Sequence, residues 1–227
     1  MNRSILWLIY NINSLLWLLG LLVAVSFVTV SCSETDGTID PYADWEERNQ
    51  HYIDSIATVA AANQGDEVGQ WKIVRSYKLP PLGMIETGNV NDNVYCKILA
   101  KGEGTYSPLF TDSVDVHYRG QLIPLTTGQT IVFEQSYKGE LDVETDVTVG
   151  FWLSQVVTGW TTALQAMKEG DQWELYLPHQ LAYGESGNSS GSVIIPGYST
   201  LIFTVYLDKI IPLESNERSI SEASEDE

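Results

Sequence analysis

A chain of 227 residues suffices for one domain of ordinary size with extensions, and its 44% hydrophobic and 19% charged content is that of a globular protein. The formal net charge is -18; no acidic residue precedes Cys32 and Arg3 is the single basic residue before it, so the 12 Lys and Arg less Arg3 leave 11 against 30 acidic residues, a net of -19. A surface of that sign repels phosphate backbones, which excludes nucleic acid as a partner.

Residues 1–31 read as a targeting segment. Arg3 gives a thin positive start, and residues 15–30 are apolar apart from Gly20, Ser26 and Thr29. The apolar stretch from Ile5 is long for a simple signal peptide, while its core is short for a relaxed membrane span. It ends Val-Thr-Val-Ser-Cys, which resembles a bacterial lipoprotein signal and implies lipidation of Cys32. The alternative is an uncleaved anchor with Cys32 incidental. Either reading leads to the same expected location, membrane-anchored in the cell envelope and periplasmic or surface-facing.

Residues 32–67 form a tether and an N-terminal helix. Residues 33–42 are polar with Gly37 and Pro41, and residues 43–63 have helical spacing. Trp45, Ile53, Ile56, Val59 and Ala60 share a rough stripe, and Asp44, Glu46 and Glu47 suit the first turn. Such a helix either docks a partner or packs on its own domain; the second is the simpler expectation.

From Val68 the pattern becomes that of strands. Candidates are residues 71–77, 93–100, 113–118, 130–133 and 147–153, with Pro80-Pro81-Leu82-Gly83 as a loop and Gly120 at a bend. Gly159 permits a turn, after which Trp160, Ala163, Leu164 and Met167 fall on one face of a short helix, with Gly170 as its terminator. Residues 172–178 alternate, with Trp173, Leu175 and Leu177 on one face and Glu174 and Tyr176 on the other. Strands at 193–195 and 200–211 follow, and residues 214–227 are an acidic tail of the kind that stays disordered. The domain over residues 68–213 is therefore expected to be α+β: an antiparallel sheet wrapped around one short helix, with the N-terminal helix added. Cys96, alternating with Val94 and Ile98, reads as a small core residue. With Cys32 lipidated, no intramolecular disulfide remains.

Hydrolytic and metal chemistry find little support. Gly187-Asn188-Ser189-Ser190-Gly191 matches G-x-S-x-G but lies in a Gly/Ser-rich loop without the strand–turn–helix context that exposes a nucleophile. His51, His117 and His179 show no ligand spacing, so no metal is expected. The aromatic and aliphatic residues remain: Tyr118, Phe133, Phe151, Val156, Val157, Trp160, Tyr183, Ile195 and Phe203. Taken singly, each is most simply core.

Taken together, their order resembles the FKBP-type peptidyl-prolyl cis-trans isomerases. Val116-His117-Tyr118-Arg119-Gly120 is similar to that family's V-H-Y-x-G strand, and Phe133-Glu134-Gln135-Ser136 to its F-D-S segment. The run from Val149 and Phe151 through Gln155-Val156-Val157-Thr158-Gly159-Trp160 resembles the approach to its tryptophan. Leu181-Ala182-Tyr183-Gly184, Ile194-Ile195-Pro196 and Thr200-Leu201-Ile202-Phe203 resemble its remaining motifs. The likeness covers roughly residues 71–211. Glu134 stands where the family has aspartate, Val149 where some members have an aromatic, and the loop over residues 185–193 lacks the family's histidine-proline pair.

The resemblance implies catalytic roles for Tyr118, Phe133, Glu134, Val157, Trp160 and Tyr183, and a substrate pocket completed by Val149, Phe151, Val156, Ile195 and Phe203. It implies proline-containing polypeptides as partners, binding of macrolide inhibitors, and no cofactor. The implied function is isomerisation of X-Pro amides in exported proteins. The alternative is a peptide-binding or chaperone module of the same fold with little turnover.

Overall fold

The computed structural model describes residues 40–83 and 88–213. The expected targeting segment, Cys32 and the acidic tail lie outside the described residues. The elements run α1 (Trp45–Ala62), β1 (Trp71–Arg75), β2 (Asn93–Ala100), β3 (Ser113–Leu122), β4 (Val132–Gln135), β5 (Val149–Trp152), α2 (Thr158–Leu164), β6 (Gln172–Leu177) and β7 (Leu201–Ile211). All strand pairs are antiparallel, in the order β1-β2-β6-β7-β3-β4, with β5 also on β3. This is the α+β architecture that the alternating sequence predicts.

Strand β3 organises the sheet. Its whole length pairs with β7, while its other edge is divided between β5 at Ser113 to Val116 and β4 at Arg119 to Gln121. Direct cross-strand partners share a face. One face therefore carries the row Tyr118, Val205, Trp173, Ile98 and the row Gly120, Phe203, Leu175, Cys96. Helix α2 packs here, with Gly159 through Leu164 all buried. Trp173, Leu164, Met167, Leu175 and Leu207 are almost wholly removed from water, each worth about 1.5–3 kcal/mol relative to exposure.

Helix α1 covers part of the opposite face. Tyr52 lies 6.3 Å from Tyr176, and Tyr176 lies 5.4 Å from Trp71. Its buried residues are Trp45, Asn49, Ile53 and Ala60. Val59, expected in that stripe, is 51% exposed. One residue is a rotation of about 100° on a helix, enough to carry Val59 off the face that holds Ala60.

Several boundaries differ from those the sequence suggests. Helix α2 stops at Leu164, before Met167, because the chain tightens into three-residue hydrogen bonds from Ala166 to Ala163 and from Met167 to Leu164. The segment 193–195 forms no strand; Ile195 makes only an isolated bridge with Asn188. Gly120 does not bend the chain but continues β3 to Leu122. Its missing Cβ admits two rings: a Cβ there would lie 2.6 Å from Phe133 and 2.7 Å from Phe203.

Candidate functional site

The chain enters α2 from the extended Val157 (φ -60, ψ 149). Gly159 is required by close approach, since a Cβ would sit 2.5 Å from Leu177. The buried helix satisfies its hydroxyls internally: Thr161 Oγ1 donates to the Leu153 carbonyl at 2.7 Å and Thr162 Oγ1 to the Thr158 carbonyl at 2.7 Å. These contacts fix Trp160 against the sheet.

Trp160 stands at the centre of an aromatic cluster. Its ring lies 5.3 Å from Tyr118, 5.3 Å from Phe151 and 5.2 Å from Phe203, all edge-to-face. Tyr118 and Phe151 are themselves 5.6 Å apart. Edge-to-face rings leave faces free, and these line a cavity of about 260 Å³. Gln155, Val156, Val157, Glu134 and Tyr183 complete its lining. The Val157 amide N–H makes no hydrogen bond with a described residue, nor does the buried Trp160 Nε1. The cavity thus combines apolar walls with the unspent Val157 donor, the composition of a small-ligand site.

The electrostatics centre on Tyr118. Burial pushes its phenol well above the ordinary tyrosine value, and the neighbouring Glu134 carboxylate pushes it further. The Tyr118 phenol therefore stays protonated at neutral pH, beside the Glu134 carboxylate. Strand β4 places Glu134 through a bulge: Val132 pairs with Gln121 and Glu134 with Gly120, leaving Phe133 as the extra residue.

Tyr183 arrives by a loop rather than a strand. Gly184, at φ 63, turns the chain away immediately after it. The Gly184 N–H donates to the His179 carbonyl at 2.8 Å, and the Tyr198 N–H to the Gly184 carbonyl at 3.0 Å.

The structure brings Tyr118, Glu134, Phe151, Val156, Val157, Trp160, Tyr183 and Phe203 to one cavity. Phe133, Val149 and Ile195 fall outside its lining. Phe133 packs edge-to-face on Phe203 at 5.5 Å. Val149 pairs with Val116 in the sheet, and Ile195 is a core residue only 4% exposed. Gln155 lines the cavity without having been among the sequence candidates; its signal was its place directly before Val156-Val157. A larger depression of about 890 Å³ on the other sheet face sets Arg119 among Glu140, Asp142 and Glu174. It is open and polar, without the aromatic enclosure. His117, 1% exposed on that face, has no hydrogen bond from either ring nitrogen among the described residues.

Residues 105–208 match the family described as FKBP-type peptidyl-prolyl cis-trans isomerase. The chain is 40% identical over 112 residues to the macrophage infectivity potentiator of Trypanosoma cruzi, covering 49% of this chain and 50% of that protein. It is 40% identical over 116 residues to the FKBP-type 22 kDa peptidyl-prolyl cis-trans isomerase of Escherichia coli (strain K12), covering 51% and 48%. It is 37% identical over 127 residues to FK506-binding protein 1A of Neurospora crassa, covering 56% of this chain and 95% of that protein. The chain thus spans about half the length of the first two relatives.

Proposed function

The chain belongs to the FKBP-type peptidyl-prolyl cis-trans isomerase family, and from that premise we propose that it isomerises X-Pro amides of exported polypeptides in the cavity around Trp160. The observation that carries this is the enclosure of Trp160 by Tyr118, Phe151 and Phe203 beside the free Val157 N–H. An X-Pro amide needs neither a nucleophile nor a metal to isomerise; its barrier of about 18–20 kcal/mol is amide resonance. The proline ring sits against the aromatic faces, and the amide leaves water with it. Charge separation in the planar amide is less favoured in an apolar site, and the twisted amide has less of it to lose. The site then binds the twisted state better than the planar one. A thousandfold acceleration needs only about 4 kcal/mol of such differential binding.

In this reading Trp160, Tyr118, Phe151 and Phe203 hold the ring. The Val157 N–H and the Tyr183 hydroxyl orient the substrate backbone, and Glu134 keeps the Tyr118 hydroxyl in place. Phe133 and Ile195 support the walls from behind, and Val149 holds β5 on β3. A macrolide inhibitor would occupy the same cavity and compete with substrate.

The reading extends to the whole chain as targeting segment 1–31, tether and helix 32–67, isomerase domain 68–213 and acidic tail 214–227. Lipidation at Cys32 would hold the domain at the membrane in the cell envelope. Fatty-acid label carried by the chain and lost on Cys32→Ser would support lipidation; a membrane-bound chain without label would favour an uncleaved anchor.

The deciding experiment is prolyl isomerisation by the full chain on X-Pro peptides and on an unfolded client, with Tyr183→Phe and Trp160→Leu as controls. Acceleration lost in the controls supports the enzyme. A folded chain that binds proline peptides without accelerating them would make it a peptide-binding module.

A further inference from the structure

Helix α1 precedes the residues that match the family, yet its buried face holds the chain that closes the candidate site. Trp45 Nε1 donates to Ser199 Oγ at 3.0 Å, and Ser199 Oγ donates to the Pro196 carbonyl at 2.6 Å. One turn on, Asn49 Oδ1 accepts the Thr200 N–H at 2.7 Å, while its Nδ2 donates to the Trp45 carbonyl at 2.7 Å. The Thr200 hydroxyl donates to the Asn49 carbonyl at 3.3 Å. Trp45, Asn49, Ser199 and Thr200 are all buried, so water does not compete for these bonds.

Along the chain the strap so held, Pro196 to Thr200, lies between two residues of the cavity lining, Tyr183 and Phe203. Behind it β7 carries Phe203, and ahead of it the loop from Glu185 returns to Tyr183. Tyr198 within the strap has φ 61, a left-handed conformation that a residue with a side chain keeps only when its surroundings impose it. The same residue's N–H secures the Gly184 carbonyl, directly after Tyr183. The loop is closed at its base as well: Asn188 and Ile195 exchange both backbone hydrogen bonds, at 2.9 and 2.8 Å. A Cβ on Gly197 would lie 1.9 Å from the Glu185 carbonyl. Strap and loop are therefore joined by backbone hydrogen bonds, and α1 bonds to the strap.

We propose that Trp45 and Asn49 are positioning residues for the aromatic cavity, fixing the Pro196–Thr200 strap and through it Tyr183 and the loop at the cavity edge. The effect on turnover rests on the isomerase reading; the effect on the loop does not. A fastened loop meets substrate already ordered, so its release weakens substrate binding more than it slows the bound amide.

The test uses the full chain with Trp45→Phe, Asn49→Ala, Ser199→Ala and the double variant Trp45→Phe/Ser199→Ala. Ile56→Ala is the control, since Ile56 packs α1 on the core and is not one of the α1 residues bonded to the strap. Amide hydrogen exchange over residues 184–198 should rise about tenfold in each strap variant, while β2 and β6 stay protected. KM for an X-Pro peptide should rise about three- to tenfold with kcat within about twofold. The double variant should be no worse than the stronger single, because both act on one hydrogen-bonded chain. Ile56→Ala should lower the thermal midpoint and leave exchange at 184–198 and KM unmoved. Unchanged exchange in folded strap variants, or an equal KM shift in Ile56→Ala, would overturn the proposal. A wild-type chain without turnover would end the isomerase reading, and the exchange measurement would still decide whether α1 fastens the loop.

Discussion

The rings of Trp160 and Tyr118 stand perpendicular, with centroids 5.3 Å apart and an interplanar angle of 90°. One comes from a buried helix and the other from the central strand, so their right angle records how α2 is seated on the sheet. Phe151 and Phe203 pack on the same indole, and all four rings line the cavity.

Trp160→Leu should therefore lose both stability and function. It removes three edge-to-face pairs, each worth about 0.5–1.5 kcal/mol beyond burial, and leaves space that leucine does not fill. The expected loss is about 2–4 kcal/mol in a denaturant titration. Turnover on an X-Pro peptide should fall at least about tenfold at a temperature where the variant is still folded. Turnover within twofold of wild type would remove Trp160 from the site.

Alkaline pH should destabilise the fold through its buried phenols. The folded-state pKa of Tyr118 is raised, first by burial and then by Glu134, and that of Tyr176 by burial and Glu174. A raised pKa means that the unfolded chain releases its proton first, so the stabilisation is complete below the unfolded value of about 10 and is lost as pH rises beyond it. Denaturant midpoints should be insensitive to these groups near neutrality and should fall above about pH 10. Tyr118→Phe should show a shallower fall; an identical slope would mean that Tyr118 ionises as freely in the folded chain as in the unfolded one.

Gly120→Ala tests the close approach in β3. The added methyl would overlap Phe133 and Phe203, and overpacking of this kind costs about 1–3 kcal/mol. Since Phe203 must move, activity should fall with stability. Phe133→Leu in the same chain should recover part of the stability by making room; no recovery would show that the strain falls on Phe203 alone.

Asp171 provides the opposite case, a structural carboxylate remote from the cavity. Its two oxygens accept the Gly102 and Lys168 N–H groups, each at 2.8 Å. Asp171→Ala leaves both donors without that acceptor and should cost about 2–4 kcal/mol. At temperatures below its unfolding transition, kcat/KM should match wild type. A loss of kcat/KM in the folded variant would tie this turn to the site.

Much of the fold and of the site is legible in the linear chain. The alternation of Trp173, Leu175 and Leu177 identified β6, because a strand with one buried face must alternate. The short helix at Trp160 followed from its apolar spacing, and the chemical character of the site from the ordered set of Tyr118, Phe151, Val156, Val157, Trp160, Tyr183 and Phe203. Those signals are local, or are preserved as short motifs whose spacing the chain displays directly.

The remainder depends on register and on contacts between distant segments. A bulge in β4 places Glu134 on the face shared with Tyr118 and leaves Phe133 behind Phe203, and a bulge exists only relative to a partner strand. Gly120 reads as a bend in one dimension and proves to be the space for two rings. Asn49 is outside the apolar stripe that marks the helix, yet it is buried, with its Oδ1 accepting the Thr200 N–H from across the fold. Hydrogen-bond partners and the volume left for a side chain are properties of the packed interior, and no single stretch of chain contains them.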